Sequence, residues 1–224
     1  MRRSLRSEVG TVKRSVLSLL AEVRANLRHG RRLQGFMKGK TGLALNIGCG
    51  KRVKSGWVNL DINPVSNEVY YFDARNPLPL ATGSVRRINC EHFLGHLGFD
   101  EALGFLSECY RVLEPAGSLR IIVPDAEKYF RAYVDNDAEY FKKLQHLGGA
   151  VNPLETRNEV VNQSFRLGGE YHSAWDFETL ELYCCRVGFS GMQRSSWKEG
   201  PAEYQIDGED WWRPFESLYC EIQR

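Results

Sequence analysis

The chain has 224 residues, 42% apolar and 26% charged, with 30 Lys/Arg against 28 Asp/Glu. That is long enough to bury roughly 70% of its unfolded surface in one packed domain. No apolar stretch approaches the roughly 18 residues of a membrane span, the run from Val16 to Val23 being broken by Ser18 and Glu22; a soluble protein is expected. The six cysteines, at 49, 90, 109, 184, 185 and 220, show no metal-ligand spacing, and adjacent Cys184-Cys185 is a poor disulfide pair. No metal and a reduced, cytoplasmic setting are the expectation.

The small net charge hides an asymmetry. Residues 1–40 hold eleven Lys/Arg against Glu8 and Glu22, a balance of +9, which leaves −7 for the rest. Within this basic arm Val16, Leu19, Leu20, Val23 and Leu27 recur at helical spacing. Such a helix can dock on the domain, lie on an anionic surface and so make the protein peripheral to a membrane, or hold polyanions. Residues 41–224 then form the second unit. Strands are predicted near 43–47, 57–61, 69–72, 85–89 and 118–123, with a helix running from Asp100, as N-cap, to about Leu113. Residues 125–170, rich in aromatics and charge, read as a helical insertion, and Asp176 to Val187 as a helix stopped by Gly188. Ser217 to Ile222 reads as a closing strand. Alternation of strands and helices favours a mostly parallel α/β sheet.

Leu43 to Ile47 runs into Gly48-Cys49-Gly50, and Trp57-Val58-Asn59-Leu60 ends in Asp61. Two glycines at a strand end let the backbone turn sharply and approach a ligand closely. A carboxylate at the tip of the next strand can accept hydrogen bonds from both hydroxyls of a ribose. A dinucleotide fingerprint fails twice: Val53 stands where its third glycine belongs, and Asp61 follows Gly50 far sooner than the roughly 20 residues such a site expects.

Further motifs follow in order: Phe72-Asp73-Ala74, Pro77-Leu78-Pro79-Leu80, Cys90-Glu91-His92-Phe93-Leu94-Gly95-His96-Leu97, Arg111-Val112-Leu113-Glu114-Pro115-Ala116-Gly117, and Val123-Pro124-Asp125. The series resembles the class I S-adenosylmethionine-dependent methyltransferases, specifically the methyltransferase type 11-like group. The similarity runs from about Leu43 to the C-terminus. It implies a doubly wound, Rossmann-like, mostly parallel sheet with an antiparallel last strand. It also implies that Gly48, Cys49 and Gly50 face the methionine end of S-adenosylmethionine, Asp61 its ribose and Asp73 its adenine amine, with Cys90 to His92 beside the sulfonium. The chain departs from the family at Gly95, Glu114 and Ala116, where the pattern has a glutamate, a basic residue and a glycine.

His172, after Gly168-Gly169-Glu170-Tyr171, matches a histidine of the family, and a histidine near neutral pKa can deprotonate a hydroxyl acceptor; a loop-pinning role is equally open. His92 is the second catalytic candidate. His92 and His96 also have a metal-ligand spacing, without a third ligand nearby in sequence. Trp211-Trp212, beside Pro214, can stack on a sugar or a base or plug the sheet edge, the last reading being favoured. The resemblance thus implies methyl transfer to a small-molecule or saccharide-type acceptor. The rivals are a non-catalytic protein of the same fold and a nucleic-acid methyltransferase using the basic arm.

Overall fold

The structure, a computed structural model, describes residues 31–148, 154–200, 207 and 209–224. Most of the basic arm, including its apolar stripe, lies outside them; its end, residues 31–37, is a helix (α1). Seven strands follow in one sheet: β1 (Leu43–Ile47), β2 (Val58–Asp61), β3 (Val69–Tyr71), β4 (Val85–Glu91), β5 (Leu113–Pro124), β6 (Gly191–Ser195) and β7 (Ser217–Gln223). Their spatial order is β3-β2-β1-β4-β5-β7-β6. β1 to β5 pair in parallel, and β7 runs antiparallel to both β5 and β6. The order reverses between β1 and β4, so a crevice opens at the carboxyl ends of those two strands, the usual ligand position in such sheets.

Alternation along the strands sorts the two faces. Leu45, Ile47, Val58, Leu60, Ile88, Cys90, Leu119, Ile121, Cys220 and Ile222 join the main core. Leu33 and Met37 of α1 join them, as do α2 (Phe99–Val112) through Phe105, Leu106 and Cys109 and α6 (Phe177–Val187) through Leu180 and Cys184. The alternate residues make a buried polar row, Asn59, Asn46, Asn89 and Arg120, in direct register across β2, β1, β4 and β5. Loops meet both ends of this row, and Asn89 Nδ2 donates to Asn46 Oδ1 at 3.2 Å in its middle. Asn46 Nδ2 donates to Asn59 Oδ1 (3.0 Å) and to the Arg52 carbonyl (2.9 Å), and Asn59 Oδ1 accepts from the Lys54 N–H (2.9 Å). The two asparagines thereby hold the 50–57 loop in a fixed, non-helical path. On the far side, the Arg120 guanidinium donates to both oxygens of Asp207 (2.8 and 2.7 Å).

Three further helices, α3 (Ala126–Val134), α4 (Ala138–Leu144) and α5 (Arg157–Arg166), lie between β5 and α6. They close on a second cluster of Tyr129, Tyr140, Phe141, Leu144 and Val160, against which Trp212 and Phe215 pack. A one-turn helix, α7 (Arg213–Glu216), and strand β6 had no clear signal in the sequence. Gly98, and not Asp100, caps α2, because Glu101 Oε2 reaches back to accept the Gly98 N–H at 2.9 Å. Asp176 and Gly188 bound α6 as expected, the glycine at φ +107°. Trp211 is 60% exposed, so only Trp212 takes part in a core. No described helix is long and apolar enough to cross a membrane.

Candidate functional site

A two-lobed cleft lies across the tips of β1, β2 and β4, with Gly48, His92 and His96 shared between the lobes. One lobe, of about 470 Å³, is lined by Asp61, Asp73, Glu101, Glu170 and His172 together with Arg75, Phe72 and Phe93. The other, of about 450 Å³, is lined by Lys51, Arg52, Lys54, Arg213, Glu91 and Glu216, with Tyr171 and Trp212 as aromatic walls. The first is acidic and the second mainly basic.

Gly48 sits at the junction with φ +66°, and a Cβ there would lie 2.6 Å from Cγ of Phe93. Only glycine fits both the left-handed backbone and the ring. Gly50, at φ +52°, faces open space and donates its N–H to Asp61 Oδ2 at 2.8 Å. Asp61 Oδ1 accepts from the Asn63 N–H at 2.8 Å. Each carboxylate oxygen has a second lone pair, so Asp61 is oriented by backbone and can still accept from a ligand. Asp73 is held by Arg75 through Nε (2.9 Å) and Nη2 (2.7 Å), and these hydrogen bonds keep its carboxyl below the usual range. Burial, with a smaller contribution from the Asp61 charge, pushes the Cys49 thiol up to about 12, so it lines the cleft as a neutral group.

His92 occupies the strained centre of the site. Its backbone is left-handed (φ 50°), a conformation uncommon for a side chain of this size. Its N–H donates to the Ile122 carbonyl at 2.8 Å, and Nε2 lies 2.8 Å from Ser217 Oγ and 3.7 Å from Glu216 Oε1. Burial, then the charges of Arg213 and Arg52, hold its pKa well below the ordinary 6.5. Glu216 is buried, and this raises its carboxyl pKa. Glu216 Oε2 accepts from the Tyr129 hydroxyl at 2.6 Å, which in turn accepts from Ser164 Oγ at 2.8 Å. The chain ties α3 and α5 of the insertion to the wall of the basic lobe.

No protein-family model and no curated protein matches the chain. Among solved structures it is similar to an S-adenosylmethionine-dependent methyltransferase from Archaeoglobus fulgidus, at 15% identity over 91% of this chain and 94% of that one, TM-score 0.48. One from Thermotoga maritima shares 17% identity over 82% and 83%, TM-score 0.49. One from Mesorhizobium loti shares 14% over 87% and 96%, TM-score 0.46.

Of the sequence-predicted residues, Gly48, Cys49, Gly50, Asp61, Asp73, His92 and His172 all line the cleft. Cys90, expected beside the sulfonium, is fully buried on the core face of β4, and the side chains at that strand tip that do line the cleft are Glu91 and His92. Alternation explains it: a residue one position off points to the opposite side of the sheet. His172 is exposed and lines the acidic lobe beside Asp61 and Asp73, away from Arg213 and Trp212. His92 and His96 do not share a helix face, because His92 precedes the short 3-10 turn Leu94–His96. Gly95 has a packing reason. The Tyr171 ring lies where a Cβ would come within 3.1 Å, and the Gly95 carbonyl accepts the His172 N–H at 2.8 Å. Arg52, Arg213 and Glu216 complete the site without any motif in the sequence to announce them.

Proposed function

We propose that the protein is an S-adenosylmethionine-dependent methyltransferase acting at an oxygen of a small-molecule or saccharide-type acceptor. The observation that carries this reading is the turn after β1: it brings Gly48 to a carboxylate-lined lobe, ties Gly50 N–H to Asp61 of that lobe, and starts no helix. A dinucleotide needs a helix N-terminus for its pyrophosphate. A lobe of carboxylates instead suits a cofactor that offers hydrogen-bond donors and no phosphate. Adenosine offers them through two ribose hydroxyls and an exocyclic amine, which we assign to Asp61 and Asp73 respectively. The methionine end falls to Gly48, Cys49 and Gly50.

When bound, S-adenosylmethionine supplies an electrophilic methyl group on a sulfonium. The protein's part is to hold an acceptor oxygen in line and take its proton, and alignment by itself can supply roughly 7–11 kcal/mol. The basic lobe adjoins the cofactor lobe at Gly48 and His92, and Trp212 offers a flat face to a sugar ring. We assign proton removal to Glu216, which burial makes a stronger base than an ordinary carboxylate, with His92 kept neutral beside it. His172 in this reading closes the cofactor lobe.

Calorimetric titration with S-adenosylmethionine, S-adenosylhomocysteine and NAD tests the proposal. Binding of the first two without the third is expected; binding of NAD in their place would sink it.

A further inference from the structure

The basic lobe says something more specific about the acceptor. Four cations, Lys51, Arg52, Lys54 and Arg213, line it against two carboxylates, Glu91 and Glu216. Arg52 is satisfied: Nη1 bonds Glu91 Oε1 at 2.8 Å and Nη2 bonds Asp210. Arg213 shares the same two carboxylates only at a distance, 3.7 Å to Glu91 and 3.5 Å to Asp210. Its Nε and Nη1 are buried with no hydrogen-bond partner among the described residues, and its side chain is 13% exposed. A buried charged donor left unmet is costly, and proteins keep few of them. Arg213 also depresses the His92 pKa, so its charge is felt at the centre of the cleft. Arg52 holds Glu91 and Asp210, and Glu216 accepts from Tyr129, which leaves the Arg213 Nε and Nη1 donors open to an anion from outside the chain.

We propose that the methyl acceptor carries a carboxylate or a phosphate, and that Arg213 binds it. This rests on the methyltransferase reading of the same cleft. A bound sulfonium would add positive charge to the cleft and favour an anionic acceptor over a neutral one of equal shape. Lys51 and Lys54, on the same wall, extend the attraction toward solvent.

The test uses protein saturated with S-adenosylhomocysteine and titrated calorimetrically with inorganic phosphate, glucose 1-phosphate, glucuronate and glucose. Phosphate esters and uronates separate the two anionic sources, and glucose reports shape without charge. At least one anion is expected to bind tenfold or more tightly than glucose, to weaken as salt is raised, and to lose at least tenfold in Arg213→Gln with S-adenosylhomocysteine affinity kept within twofold. Lys54→Gln, a change outside the buried network, should lose two- to threefold and serves if Arg213→Gln does not fold. Equal binding of glucose and the anions, or no binding of any anion, overturns the inference. So does an Arg213→Gln variant that loses S-adenosylhomocysteine and keeps the anion. Failure of S-adenosylhomocysteine to bind wild type refutes the methyltransferase reading instead, and anion titration of the unloaded protein still reads Arg213.

Discussion

The acidic and basic lobes of one cleft are built in different ways. In the acidic lobe Asp61 and Asp73 stand at or just beyond the tips of neighbouring parallel strands, each oriented by a group two residues away, Asn63 or Arg75, and Asp61 also by Gly50 eleven residues back. Short-range geometry is enough to aim them. In the basic lobe Arg52 meets Asp210 across 158 residues of chain, and Glu216 meets Tyr129 across 87. Long-range packing of the insertion against β7 has to be complete before that lobe exists. The opposite charges of the lobes match the groups we propose for each, since carboxylates accept from hydroxyl and amine donors and guanidinium groups donate to oxygen acceptors.

The comparison breaks first at the junction. Gly48→Ala adds a methyl group at a left-handed position against Phe93. A destabilisation on the order of 3 kcal/mol is expected from the two effects together, read as a lower denaturant midpoint with loss of both cofactor and acceptor binding. An unchanged midpoint would mean that Phe93 moves freely and the junction is not tight.

Asp61→Ala acts on one lobe alone. Loss of a charge-assisted partner costs about 1.5–3 kcal/mol, which corresponds to roughly 10- to 150-fold weaker binding of S-adenosylhomocysteine, with the fold and the anion affinity of the other lobe retained. Wild-type affinity in this variant would remove Asp61 from the cofactor site.

His92 gives the shared wall a pH signature. Its folded pKa lies well below 6.5, so below pH 6.5 the unfolded chain takes up a proton that the folded one refuses. The stability His92 provides is therefore present above pH 6.5 and lost as pH falls, with a limiting slope of about 1.4 kcal/mol per pH unit. Glu216, raised above 4.5, works in the opposite direction as it protonates first in the folded state. Thermal melts of wild type and His92→Asn across pH 7 to 5 isolate the histidine as their difference. Parallel profiles would show that His92 is solvated.

The smallest effect lies outside both lobes. Ala116 sits at φ 63°, exposed, where the resembling family has glycine. Relief of the left-handed penalty, less the entropy glycine restores to the unfolded chain, predicts that Ala116→Gly stabilises by about 0.5–1 kcal/mol with ligand binding unchanged. A destabilised variant would show that the strain is absorbed elsewhere.

By itself the sequence determined six of the seven strands, both boundaries of α6 and the placing of Asp61 and Asp73 at neighbouring strand tips. Those features depend on strand alternation, caps and turns, which act over a few residues and leave a mark in residue order. Burial of Cys90 depended on alternation too, but on knowing which face of β4 carries the core, and Val85-Arg86-Arg87-Ile88 gives no unbroken polar-apolar rhythm to settle it. The capping of α2 turned on a glutamate reaching back to Gly98 in preference to the aspartate beside it. The basic lobe was decided only in three dimensions. Arg213 and Glu216 sit in a one-turn helix with no periodicity to read, and they acquire meaning from Arg52, Glu91, His92 and Tyr129, which the sheet and insertion bring beside them.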